Sequence, residues 1–135
     1  MNLMDFLIEH TGTELTEEVA VSERFKDKNG KLLKFKIRAM SNDEFSAMQK
    51  RNTKYDKKGR PSFDQRGAIM DVVLLCTVDP NFRSEEAVRK ANVLSPEQLV
   101  NKLLLPGEVM ELYRVISELS GFDKEPEELK DEVKN

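Results

Sequence analysis

The 135-residue chain contains one cysteine, one histidine and no tryptophan. A single Cys76 excludes an intramolecular disulfide framework and any thiolate cluster for a metal. It falls in the most apolar stretch of the sequence, where a thiolate is disfavoured and packing is the expected role. His10 stands beside Glu9 at the end of a short predicted helix, with no motif supplying a nucleophile and an orienting acid, and reads as a surface histidine. No run approaches the eighteen or so apolar residues of a membrane-spanning helix. The opening MNLMDFLIEH has no cation ahead of its apolar residues and no small-residue cleavage site, so no secretory signal is predicted. The six glycines form no dinucleotide or phosphate-binding fingerprint. Asp79-x-Asn81 begins like a calcium loop, but Ser84 stands where the glycine is needed and Lys90 where the final glutamate is needed. The pairs Glu85-Glu86 and Glu127-Glu128 are adjacent in sequence and expected to be solvated. The expectation is a non-enzymatic protein of a reducing compartment, without catalytic residues, metal or cofactor.

Charged residues make up 35% of the chain and apolar ones 39%, enough for one ordinary core. The net charge of −3 conceals a strong asymmetry. Residues 1–23 hold six acids and no Lys or Arg, whereas residues 24–66 hold fourteen bases against five acids. Residues 67–122 return to five bases against eight acids, and 123–135 to three against six. Such a basic block attracts nucleic acid or an acidic protein, or neutralises the acidic parts of its own chain. The mildly acidic whole favours the last of these.

The local patterns predict an α+β fold with an N-terminal short helix and a two-stranded antiparallel hairpin packed on about five helices. Residues 2–10 form the first helix, with Leu3, Phe6 and Leu7 on one side and Met4 and Ile8 beside them. Val19 and Val21 alternate with polar neighbours, Asn29-Gly30 supplies a turn, and Leu33, Phe35 and Ile37 alternate with Lys34, Lys36 and Arg38 on the return strand. Two strands are marginal alone, so helices must cover the apolar face, with room for one more short strand. Ser41 and Glu44 form a capping box for a helix to about Arg51, with Phe45 and Met48 on one face. Residues 52–61 read as a polar, basic loop. Ser62 and Gln65 resemble a second capping box, before a helix to about Thr77 that is apolar nearly all round and therefore central. Helices over 84–91, from Ser95-Pro96, and from Pro106 to Gly121 complete the chain. Residues 1–122 form one expected domain. The charged stretch 123–135 has only Leu129 and Val133 as apolar anchors and is expected to be a flexible tail.

A nucleic-acid site needs phosphate-binding charge together with stacking aromatics or a groove-entering helix. Lys34, Lys36 and Arg38 on the strand, and Lys54, Lys57 and Lys58 in the following loop, supply the charge. Phe35 points away from the lysines, and only Tyr55 interleaves with the loop charges. A solvated basic surface is favoured, with no specific nucleic acid expected. A small nucleic-acid-binding regulator using residues 24–66 remains the alternative.

The opening MNLMDFLIEHT, the hairpin end FKIRAMSNDEF, the central DVVLLCTVDPNFRSEEA and the stretch LLLPGEVMELYRVISELSGF prompt a comparison. Over about residues 1–122 the chain resembles the XkdN-like tail assembly chaperones of PBSX-type and related contractile-tailed phages. The resemblance is most specific from Asp71 to the turn Pro106-Gly107-Glu108. It implies a non-enzymatic assembly factor in the cytoplasm of the bacterial host, absent from the finished virion. The implied client is the tape measure protein, with the tail tube protein as a second partner. A tape measure exposes apolar helical surface before the tube encloses it, and helix-in-groove contact would shield that surface. On the last helix Val109, Leu112, Tyr113, Ile116 and Leu119 fall on one face, flanked by Met110 and Val115. Met110, Val115 and Tyr113 are the expected partner-binding residues.

Overall fold

A computed structural model describes residues 2–122, so the tail read over 123–135 lies outside the described residues. Helix α1 (Leu3–Glu9) is opened by Asn2, whose side chain accepts the Asp5 N–H at 2.8 Å. None of its residues is buried. A single 3-10 turn, Gly12–Glu14, leads into strand β1 (Thr16–Val19). This strand pairs antiparallel with β2 (Phe35–Arg38), Thr16 opposite Arg38 and Val19 opposite Phe35.

The connection between β1 and β2 folds back on itself. Asp27 Oδ1 accepts the N–H groups of Asn29 and Lys31 at 2.8 and 3.0 Å, and Gly30 takes φ 80°. A side chain would strain that backbone, which explains the glycine. Phe35 and Ile37 are buried, as their alternation with lysines predicts. Leu33 is not: it is 52% exposed. Its N–H bonds the Phe25 carbonyl at 2.7 Å, and the regular pleat begins only at Phe35. Phe25 packs against the core instead.

Ser41 opens α2 (Asn42–Arg51) with the expected capping box: its hydroxyl accepts the Glu44 N–H at 3.1 Å, and Glu44 accepts the Ser41 N–H at 3.0 Å. The expected loop that follows is in fact a second hairpin, of β3 (Thr53–Tyr55) and β4 (Pro61–Phe63). Three-residue strands, Thr-Lys-Tyr and Pro-Ser-Phe, are too short to announce a two-residue period, and proline is tolerated because the ribbon is all edge. Helix α3 (Gln65–Cys76) is capped by Asp64, which accepts the Gly67 N–H at 3.0 Å; Ser62 lies inside β4, opposite Lys54. Asp64 displaces the expected Ser62 cap because the ribbon runs on to Phe63.

Helix α3 passes directly into β5 (Thr77–Asp79), which pairs antiparallel with the other edge of β2 and completes a sheet of order β1-β2-β5. Helices α4 (Glu85–Lys90), α5 (Pro96–Leu103) and α6 (Pro106–Ser117) follow, then a wide turn over Glu118–Phe122. The core joins Phe35 and Ile37 of β2 to Val72, Val73 and Cys76 of α3, Leu99 and Val100 of α5, and Leu112 and Ile116 of α6. Each of these aliphatic side chains contributes about 1.5–3 kcal/mol on burial. The fold is α+β, as the sequence predicts.

Ion pairs tie neighbouring elements together, two of them with both carboxylate oxygens engaged. Arg38 of β2 forks onto Glu44 of α2 at 3.0 and 2.8 Å. Arg24, in the β1–β2 connection, donates to both oxygens of buried Glu108 at 2.6 and 2.7 Å, and to the Leu103 carbonyl at 2.7 Å. Glu108 also accepts the Leu105 N–H at 2.8 Å, closing the first turn of α6. The "PGE" turn thus sets the α5–α6 angle and latches it to the sheet connection.

Candidate functional site

Between the first half of α3, the end of α5 and the start of α6 lies an open groove of about 710 Å³. Ile69, Met70, Leu104, Val109 and Met110 supply its apolar lining, and Asp64, Arg66, Glu97 and Asn101 its polar lining. The groove exists because α5 stops at Leu103 and α6 restarts at Pro106, so two helix ends meet the side of α3. Met110 is 49% exposed at this site. Tyr113 and Val115 are half-buried and packed against the core, and neither lines the groove. The structure therefore separates Met110 from the other two expected partner-binding residues. Ile69 and Met70 were not readable as lining, because a helix that is apolar all round does not reveal which of its sides stays uncovered.

The basic residues divide into two sets. Lys34, just ahead of β2, and Lys36 on it are exposed, and the register places Lys36 between Glu18 of β1 and Asp79 of β5. Side chains so aligned share one face of the sheet, and opposite charges there attract. Arg38 is held by Glu44, whose carboxyl this guanidinium keeps at about 2, well below the usual carboxylate range. Arg38 is thus paired, and Lys36 lies beside two acids in the register. Lys54, Lys57 and Lys58 lie on the β3–β4 ribbon, where all residues but Thr53 are exposed. Among the described residues only Arg60 is paired there, with Asp56 at 2.7 Å.

Cys76 is fully buried, and burial pushes its thiol up to about 11. It stays protonated and apolar in character. The His10 ring lies 4.7 Å from that of Phe6 on the same exposed helix. Among the described residues, no group of three or more His, Cys, Asp or Glu could hold a metal ion, and no helix is long and apolar enough to cross a membrane.

The described residues form a small α+β module with an open interhelical groove and an exposed apolar helix. The chain belongs to the phage XkdN-like tail assembly chaperone family, whose model matches residues 3–134. It is 29% identical over 123 residues to the uncharacterized protein YqbN of Bacillus subtilis (strain 168), spanning 87% of this chain and 83% of that protein. It is 26% identical over 123 residues to the phage-like element PBSX protein XkdN of the same organism, with the same coverage. A crystal structure of YqbN has the same fold, with a TM-score of 0.71 at 24% identity over 91% of this chain and 98% of that one. Family membership supports a role in phage tail assembly, exercised through binding to tail proteins.

Proposed function

We propose that the chain binds the tape measure protein during assembly of the tail tube, in the cytoplasm of the bacterial host, and leaves before the virion is complete. The tail tube protein is the second proposed partner. The observation that carries this reading is the groove between α3, α5 and α6, whose lining combines apolar side chains with polar ones. Grooves of this kind take amphipathic helices, anchored by apolar side chains at helical spacing. A tape measure segment not yet enclosed by its tube offers such anchors and aggregates without a cover.

Co-expression tests the proposal. The chain should hold an apolar tape measure fragment in solution that precipitates when expressed alone. Met110→Glu should weaken the complex while changing stability by no more than about 0.5 kcal/mol, as an exposed substitution does. Val115→Glu should lower the melting temperature, since Val115 packs on the core. A soluble fragment with no affinity for the chain would defeat the assignment.

A further inference from the structure

Among the described residues, two of the exposed surfaces are complementary. The first is α1. Its apolar side chains, Leu3, Met4, Phe6, Leu7 and Ile8, are between 49% and 72% exposed, and the only charges on the helix are Asp5 and Glu9. The second is the β3–β4 ribbon. Its register pairs Thr53 with Phe63 and Tyr55 with Pro61, so both aromatics project from one face, and they are 52% and 70% exposed. Residues 50–66 carry seven Lys and Arg against two Asp. Among the described residues, Lys50, Lys54, Lys57 and Lys58 enter no ion pair.

We propose that α1 of one copy of this chain docks on the aromatic, basic β3–β4 ribbon of a second copy. Charge selects the ribbon over the other open surface. The groove at α3, α5 and α6 has Asp64 and Glu97 against a single Arg66, which does not favour an acidic helix. Dimensions agree as well: seven helical residues span about 10 Å, and three strand residues span about 10 Å. Leu3, Phe6 and Leu7 would rest on Tyr55 and Phe63, with Asp5 and Glu9 reaching Lys57 and Lys58 of the turn, since Lys54 alternates onto the opposite face. Within one chain this contact is not made, since no residue of α1 is buried. The interface is heterologous, helix of one copy to ribbon of the next. It lies at the low end of interface sizes, so association is weak and concentration-dependent. The proposal is independent of the tape measure reading, because it is tested with no client present.

Sedimentation of the full chain over a wide concentration range tests it. Mass should grow with concentration at about 50 mM salt, and the association constant should fall about tenfold at about 500 mM, where screening shortens the reach of the charges. Phe6→Ser with Leu7→Ser, and separately Tyr55→Ser with Phe63→Ser, should each abolish association with the melting temperature unchanged. Charge reversal supplies the specific control. Asp5→Lys with Glu9→Lys in one chain, and Lys57→Glu with Lys58→Glu in another, should each leave a monomer, and mixing the two should restore association. A wild-type chain monomeric at every concentration would overturn the proposal. So would association that survives the ribbon changes, or a ribbon that retains a single-stranded oligonucleotide at about 150 mM salt while contributing nothing to association.

Discussion

The two hairpins of this molecule turn in the same way and end in opposite circumstances. Asp27-Lys28-Asn29-Gly30-Lys31 and Asp56-Lys57-Lys58-Gly59-Arg60 share one design. In each, the aspartate Oδ1 accepts two backbone N–H groups, at 2.8 and 3.0 Å in the first and 2.9 Å twice in the second. The glycines take φ 80° and 78°. Yet the first turn serves strands whose Phe35 and Ile37 are buried, and the second serves strands with no buried residue. Turn chemistry is local and fixes how the chain reverses. Burial is decided by what the strands carry, and only the first pair alternates apolar with charged residues. The difference extends to charge: Lys36 and Arg38 have Glu18, Asp79 and Glu44 as neighbours in the register or across the helix, while Lys54, Lys57 and Lys58 have no such acid opposite them among the described residues.

The contrast can be broken most directly by truncating one aromatic in each hairpin. Phe35→Ala should cost about 3–5 kcal/mol of stability, read by denaturant unfolding, because it empties a closed core site. Phe63→Ala should cost no more than about 0.5 kcal/mol. Equal losses would mean that the ribbon is part of the core.

A smaller effect compares the turns. Gly30→Ala and Gly59→Ala should impose the same local strain, about 1–2 kcal/mol for an alanine at positive φ. Hydrogen exchange should show Gly30→Ala loosening the sheet strands, and Gly59→Ala loosening only residues 53–63.

Acid separates the hairpins by the least. Glu44 titrates at about 2 through its bond to Arg38, below its ordinary value near 4.5. Its contribution is therefore complete above pH 4.5 and is lost as pH falls toward 2. With partial exposure allowed for, it amounts to about 1 kcal/mol. Glu44→Gln should flatten the fall in melting temperature across that window. The Asp56 carboxyl is also lowered, by the backbone and side chain of Arg60, and its loss follows the same sign. It is exposed, so Asp56→Asn should leave the global acid profile nearly unchanged.

Legibility in the sequence followed the range of the interaction. The Ser41–Glu44 capping box, the Gly30 turn, the Phe35–Ile37 alternation and the all-apolar α3 each depend on neighbours within a few residues, and each was readable. The ribbon was not, because three residues a strand are too few to set a period, and its aromatics are not buried. Leu33 was misplaced because the irregular chain between Phe25 and Lys34 breaks the two-residue period before β2 begins. The groove was half legible: Met110 stood out as flanking the apolar face of α6, whereas Ile69 and Met70 were hidden in a helix apolar on every side. Arg24 and Glu108 carry no local sign of one another at all.

That last pair joins residues 84 positions apart, which gives the fold an order in time. A chain leaving the ribosome at about 5–20 residues per second presents Glu108 about 4–17 s after Arg24. Throughout that interval α1 is already outside with its apolar side chains bare, while the latch on the sheet connection does not yet exist. The nascent protein is thus able to meet a partner through its first helix before it has finished folding around its last.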